Sequence, residues 1–215
     1  MVSVIPVVGR SDVGKTTFLE KVVKELKDKG YRVAVIKHDT HGFEIDHPGK
    51  DSWRMAQAGS DVVMISSADK MAMIKKTSQE LSLDQLEAYI MGGVDIILAE
   101  GYKSSDKPKI EISRAEVSNE LLCTEQELLA LVTDQRFDLD VPHFALDDVR
   151  GVVEFLIENA LGQQREPEVF LSVNGNPVGI GSFIRSVFTN TILGLVASLH
   201  GTENPRDIRI TIRLP

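Results

Sequence analysis

Residues 9–16, Gly9-Arg10-Ser11-Asp12-Val13-Gly14-Lys15-Thr16, match the pattern G-x-x-x-x-G-K-[ST] in full. Such a run can wrap its backbone round a phosphate. The glycines allow close approach, successive N–H groups point inward, and the N-terminus of a following helix adds partial positive charge. Lys15 is then placed to reach the β- and γ-phosphates, and the Thr16 hydroxyl to ligate Mg²⁺. A glycine-rich turn can match the pattern by chance, so the flanks decide. Val2–Val8 is an apolar run suited to a strand entering the loop, and Phe18, Leu19, Val22, Val23 and Leu26 recur at helical spacing after it. The expectation is a nucleoside triphosphate cradled by Gly9 to Thr17.

A site of this kind also needs an acidic residue at the end of a neighbouring strand, to order the Mg²⁺ hydration shell. The run Val94-Asp95-Ile96-Ile97-Leu98-Ala99-Glu100-Gly101 offers Glu100 at that end, while Asp95 stands at the other, away from the ligand edge. An exposed strand-end carboxylate without a metal role is the competing reading. The stretch Lys37–Arg54, KHDTHGFEIDHPGKDSWR, follows the second apolar run and holds His38, His41 and His47 beside Asp39, Glu44 and Asp46. Three readings stay open: a switch-like loop contacting Mg²⁺ (through Asp39), the γ-phosphate or a second substrate; a transition-metal site; or a solvated polar loop. Transition-metal delivery usually wants thiolates or tightly spaced histidines, and no cysteine lies here.

Apolar, β-branched runs alternating with helical patterns place these residues in an α/β fold, a P-loop NTPase-type mostly parallel sheet flanked by helices. The expected strands are Val2–Val8, Arg32–Lys37, Val62–Ser66, Met71–Ile74, Asp95–Glu100, Lys109–Ile112, Leu128–Thr133 and Val141–Ala145. The expected helices are Lys15–Lys29, Asp51–Ala58, Leu83–Met91 (with Ser82 as N-cap) and Asp147–Leu161. Pro6 inside the first strand cannot donate to a ladder, so a bulge or an unpaired position is expected there. Residues 1–162 read as the nucleotide-binding domain and 163–167 as a linker. Residues 168–215 read as a small β-β-α-β module: strand Val169–Val173, turn Asn174-Gly175-Asn176-Pro177, helix Ser182–Leu199 and a last strand Asp207–Arg213.

With 215 residues, 42% hydrophobic and 26% charged, the chain has ordinary globular composition. A formal net charge of −8 speaks against a general nucleic-acid or anionic-membrane binder. No apolar run is long enough to span a bilayer and no secretory signal is visible, so the expected location is the cytoplasm. The single cysteine, Cys123, permits no internal disulfide.

Three segments occur in the order and spacing of one family: GRSDVGKTT, KHDTHGFEIDHPGKDSWRMAQAG and DIILAEGYKSSDKPKIEISR. Over residues 1–162 the chain resembles the molybdopterin-guanine dinucleotide biosynthesis protein B family. The resemblance implies a P-loop GTP-binding protein, typically dimeric, with weak Mg²⁺-dependent GTPase activity. It would assist the partner enzyme that transfers GMP to a molybdopterin-type substrate in molybdenum cofactor biosynthesis. It also implies that Gly9, Arg10, Ser11, Asp12, Val13, Gly14, Lys15, Thr16 and Thr17 hold GTP. Thr16 and Glu100 would then serve Mg²⁺, and His38, Asp39, His41, Lys50, Asp51 and Arg54 would line an adjoining functional face. Two departures stand out. The segment Glu168–Pro215 extends beyond the usual single-domain member, and no N-K-x-D tetrapeptide is present to read guanine. Thr133-Asp134 is the candidate substitute, against a plain strand-end turn. The alternative functions are a P-loop small-molecule kinase or ligase, with Lys50, Asp51 and Arg54 gripping the acceptor, and a metal-delivery GTPase using the histidine loop.

Overall fold

The computed structural model describes residues 2–39, 42–87, 89–90, 93–161, 169, 171–173, 176–178, 181–202, 205 and 208–212. Ser3–Val8 (β1) is buried along its whole length, as a strand must be when both faces of its sheet are covered. The chain runs on through α1 (Lys15–Asp28), β2 (Val33–Lys37), α2 (Asp51–Gln57), β3 (Val62–Ser66), β4 (Met71–Lys75) and α3 (Leu83–Glu87). It continues with β5 (Ile96–Glu100), β6 (Lys109–Ser113), β7 (Leu128–Thr133), β8 (His143–Phe144) and α4 (Val149–Leu156). The last elements are β9 (Leu171–Val173), β10 (Asn176–Val178) and α5 (Ser182–Ala197).

Six strands form one sheet in the order β2-β5-β1-β6-β7-β8, and every adjacent pair is parallel. The α/β expectation holds. Alternate residues of the central strands feed opposite faces. Ile5, Val7, Leu98, Ile110 and Ile112 pack against α1 and α4 through Phe18, Leu19, Val22, Leu26, Val152, Val153 and Leu156. On the other face Val4, Ile97 and Ala99 meet Leu83 of α3. The apolar side chains of α1 fall on one face of the helix, each worth about 1.5–3 kcal/mol when buried. That burial fixes the helix start directly above the end of β1.

Pro6 sits in the sheet without a bulge. The Val7 carbonyl accepts from the Gly101 N–H at 2.9 Å, so residue 7 bonds on the β5 side and residue 6 faces β6. There the ladder pairs only Val7 with Ile110 and Val8 with Glu111.

Several expected elements come out differently. β3 and β4 form a separate antiparallel hairpin, because the short turn between them brings the second strand straight back beside the first. α3 ends at Glu87 rather than Met91, although Ser82 does cap it, its hydroxyl accepting from Gln85 N–H at 3.3 Å. α4 starts at Val149, capped by the Asp148 carboxylate, and its last turn, Ile157–Leu161, widens to a π-helix. In the tail, Asn176 and Pro177 belong to β10, paired antiparallel with β9, rather than to a turn. The described residues 208–212 lie in no strand, so the alternation of Ile208, Ile210 and Ile212 is not used in a ladder among them. The expected linker, the turn residues Asn174 and Gly175, and Asp207 and Arg213 lie outside the described residues.

Candidate nucleotide-binding site

The loop between β1 and α1 lies at the C-terminal edge of the sheet, where open parallel sheets gather their sites. Gly9 has φ 152° and cannot be replaced without conflict, since a Cβ there would stand 2.5 Å from the Ile112 carbonyl oxygen. Gly14, at φ 91°, takes the left-handed conformation that turns the chain into α1. Lys15 folds back over the loop, its Nζ donating to the carbonyls of Gly9 at 3.0 Å and Arg10 at 2.8 Å. The ammonium is thereby held over the concave side of residues 9–14.

Thr16 and Glu100, both expected to serve Mg²⁺, lie side by side. β5 neighbours β1 with Val7 opposite Glu100, and the Thr16 Oγ1 lies 3.0 Å from both oxygens of the Glu100 carboxylate. A hydroxyl and a carboxylate at the end of a phosphate loop form the sparse set Mg²⁺ takes when waters and phosphates complete its shell. The residues present therefore fit that ion. Asp95, at the other end of the strand, is engaged elsewhere: it accepts from Arg32 Nη2 and the Arg32 backbone N–H, both at 2.8 Å.

His38 follows β2, its N–H donating to the Glu100 carbonyl at 3.0 Å. Its ring stacks on Tyr102 with centroids 4.7 Å apart, and its Nε2 lies 2.8 Å from the Glu80 carboxylate. Burial, and then the Glu80 charge, push the Tyr102 phenol above its ordinary value. Asp39 is exposed beside His38. His41 lies outside the described residues. Further along the loop, Asp46 serves structure: it accepts from the His47 N–H at 2.7 Å and the Ser52 hydroxyl at 2.8 Å, which hold its carboxyl below the usual range. Lys50 stands at the N-cap of α2, and Asp51 reaches Arg54 at 3.7 Å within that helix. Lys50 and Asp51 border an open cavity of about 510 Å³ floored by Met55, Met64 and Ile65. Among the described residues, no three His, Cys, Asp or Glu side chains gather as a metal-ligand set.

On the far flank, one Asp134 oxygen accepts from the Ala115 N–H at 2.8 Å, and the Thr133 hydroxyl accepts from Gln135 N–H at 3.0 Å. Thr133-Asp134 is thus already a hydrogen-bonded strand-end turn. Arg10 reaches the exposed Glu120 at 3.3 Å. Three residues near the loop escaped the sequence reading: Glu80, Tyr102 and Arg114. Only the place of Arg114, directly after an apolar strand, was visible as a signal.

A six-stranded parallel sheet whose central strand delivers a G-x-x-x-x-G-K-T loop into a helix, with a strand-end carboxylate on the following hydroxyl, defines a P-loop NTPase-like α/β protein. Residues 4–134 match the family model described as molybdopterin guanine dinucleotide synthesis protein B. The chain belongs to that family. It is 35% identical over 161 residues to a molybdopterin-guanine dinucleotide biosynthesis adapter protein of Haemophilus influenzae, covering 74% of this chain and 90% of that one. A putative adapter protein of Methanocaldococcus jannaschii is 25% identical over 97% of both chains, a match that extends beyond residue 162. Among solved structures, Bacillus subtilis MobB superposes with a TM-score of 0.59 at 25% identity, over 75% of this chain and 99% of that one.

Proposed function

We propose that this chain is an adapter protein of molybdopterin guanine dinucleotide biosynthesis that binds GTP with Mg²⁺ and hydrolyses it slowly. It would assist a partner enzyme in attaching GMP to a molybdopterin-type substrate, acting in the cytoplasm as a homodimer. The observation that carries the nucleotide reading is the Thr16–Glu100 contact over an intact phosphate loop. Family membership supports the pathway. Lys15 would swing from the loop carbonyls to the β- and γ-phosphates, exchanging neutral acceptors for charged ones. Thr16 and Glu100 would hold Mg²⁺, which would supply charge neutralisation to the bound triphosphate. Slow turnover is supported by the engagement of Arg10 with Glu120. A missing arginine can leave such sites orders of magnitude below their activated rate.

Calorimetry with GTP, with and without Mg²⁺, tests the reading. Lys15→Ala should lower the affinity for Mg-GTP by about a hundredfold while the protein stays folded. Glu100→Gln should weaken binding with Mg²⁺ more than binding without it. Unchanged affinity in the lysine variant would sink the nucleotide assignment, and equal effects of Glu100→Gln under both conditions would remove the metal role. The cavity bordered by Lys50 and Asp51 favours one second reading, a kinase or ligase that grips its own acceptor there. Label from γ-labelled GTP appearing on a molybdopterin-type acceptor would select it.

A further inference from the structure

The geometry points to Arg114 as the residue that holds the nucleoside end of the bound triphosphate, at its α-phosphate and ribose. The inference rests on the phosphate-loop reading above. In the sheet order, β5 and β6 flank β1 on opposite sides. Glu100 ends β5 and meets Thr16, which marks that flank as the metal side. Arg114 directly follows β6, on the other flank. A phosphate chain laid across residues 9–17 with its metal-bound end over β5 therefore directs its nucleoside toward β6.

A pocket of about 250 Å³ opens there, bordered by Asp12, Gly14, Thr17, Lys21, Arg114 and Leu146. Thr16 turns to Glu100, while Thr17, one residue further round the first turn of α1, faces this pocket. Two of the lining side chains are cations and one, the exposed Asp12, is an acid. The guanidinium of Arg114 lies against the loop, its Nη2 3.4 Å from where a Gly14 Cβ would stand.

Among the described residues, the Arg114 side chain takes part in no ion pair. Its Nε is buried and has no hydrogen-bond partner. By contrast Arg10, Arg32, Arg54 and Arg150 each reach a carboxylate, at 3.3, 2.8, 3.7 and 2.9 Å. A buried donor left unmet is costly, and such exceptions call for a ligand or a functional account. The planar fork of a guanidinium matches phosphate oxygens, and its charge is permanent.

The backbone around Arg114 is held in place before any ligand arrives. Its carbonyl accepts from the N–H groups of Val117 and Ser118, and its neighbour Ala115 donates to Asp134. The Gln135 amide donates to the Ser113 hydroxyl at 3.1 Å and to the Ser118 carbonyl at 2.9 Å. Little ordering entropy is left to lose on binding.

The test compares Mg-GTP, GDP and inorganic pyrophosphate by calorimetry on the full chain and on Arg114→Gln. The variant should bind GTP and GDP about ten- to a hundredfold more weakly, the loss of a charge-assisted hydrogen bond, and pyrophosphate within about twofold of normal. Arg114→Lys, which keeps charge without the fork, should fall between. Unchanged GDP affinity in Arg114→Gln overturns the assignment. So does an equal loss for pyrophosphate and GDP, which would make the effect a general one of charge or folding. If Arg114→Gln does not fold, the unaltered protein still decides: the Arg114 Nε–H resonance should move on adding GDP and not on adding pyrophosphate, and a resonance indifferent to GDP overturns it. An unaltered protein that binds neither GTP nor pyrophosphate brings down the phosphate-loop reading itself, an outcome distinct from the others.

Discussion

Cys123 shows how far a single side chain can be moved by its surroundings. Burial, and then the neighbouring Glu111 carboxylate, push its thiol up to about 12. Raising the pKa of an acid disfavours its charged form, so the native thiolate at pH 8 is about a thousandfold scarcer than on an ordinary thiol. Alkylation by iodoacetamide at pH 8 should accordingly be slow in the native protein and accelerate by orders of magnitude in urea. Equal rates in both states would show that the thiol is not held neutral. The unfolded chain ionises this thiol first, so its contribution to stability is whole below the ordinary cysteine value and is lost as pH rises from there through about 12. At this scale the sequence revealed those residues whose role is set by their immediate neighbours. Gly9, Gly14, Lys15 and Thr16 follow one another in a motif with its own backbone chemistry, and Glu100 ends its strand. Glu80, Tyr102 and Arg114 were not legible, because what defines each is a side chain or loop brought close only by the fold: His38 for the first two and the Gly14 turn for the third.

Among the elements, a buried carboxylate fastens the far end of the segment from Arg114 to Cys123 to the sheet. Glu111 of β6 is 1% exposed and accepts from the N–H groups of Leu122 at 2.7 Å and Cys123 at 2.9 Å. Removing the acceptor leaves two part-buried donors without their partner. Glu111→Ala should cost about 2–4 kcal/mol in denaturant unfolding, with faster hydrogen exchange at the Leu122 and Cys123 amides. A loss below about 0.5 kcal/mol, the range of ordinary surface substitutions, would mean that the segment is fastened by other contacts. Glu111 belongs to a strand the sequence places well, yet nothing in the pattern K-I-E-I-S announces that its charged residues face inward. The parallel sheet was readable because β1, β5 and β7 are nearly continuous apolar runs. The sequence predicts the two strands of the β3–β4 hairpin but not their separation from the main sheet, since alternation carries no information about which edge a strand joins. The last expected strand rested on three alternating isoleucines. Period-two alternation marks a face, and without a partner edge the described residues 208–212 form no ladder.

At the scale of the whole molecule, the tail leaves much apolar surface facing outward. In α5, Phe183 is 78% exposed and Leu195 61%, while beyond it Leu199, Ile210 and Ile212 are 60%, 59% and 80% exposed. A side chain of this size is worth about 1.5–3 kcal/mol when buried, so several left in water on a protein with a net charge of −8 create a strong drive to associate. The apolar residues of α5 are spread round the helix rather than confined to one stripe, so a single neighbouring element cannot cover them all. No helix among the described residues is long and apolar enough to cross a membrane. A second copy of the chain is the partner present in every preparation, and the expectation is a homodimer to which the tail contributes. Light scattering on the full chain and on a version ending at Gln164 measures it. The full chain should be dimeric at micromolar concentration, and the shortened chain should dissociate at concentrations at least about tenfold higher. A full chain that stays monomeric refutes self-association. Equal dimer affinities in the two forms would place the interface within residues 1–164, and the exposed face of α5 would then need another partner.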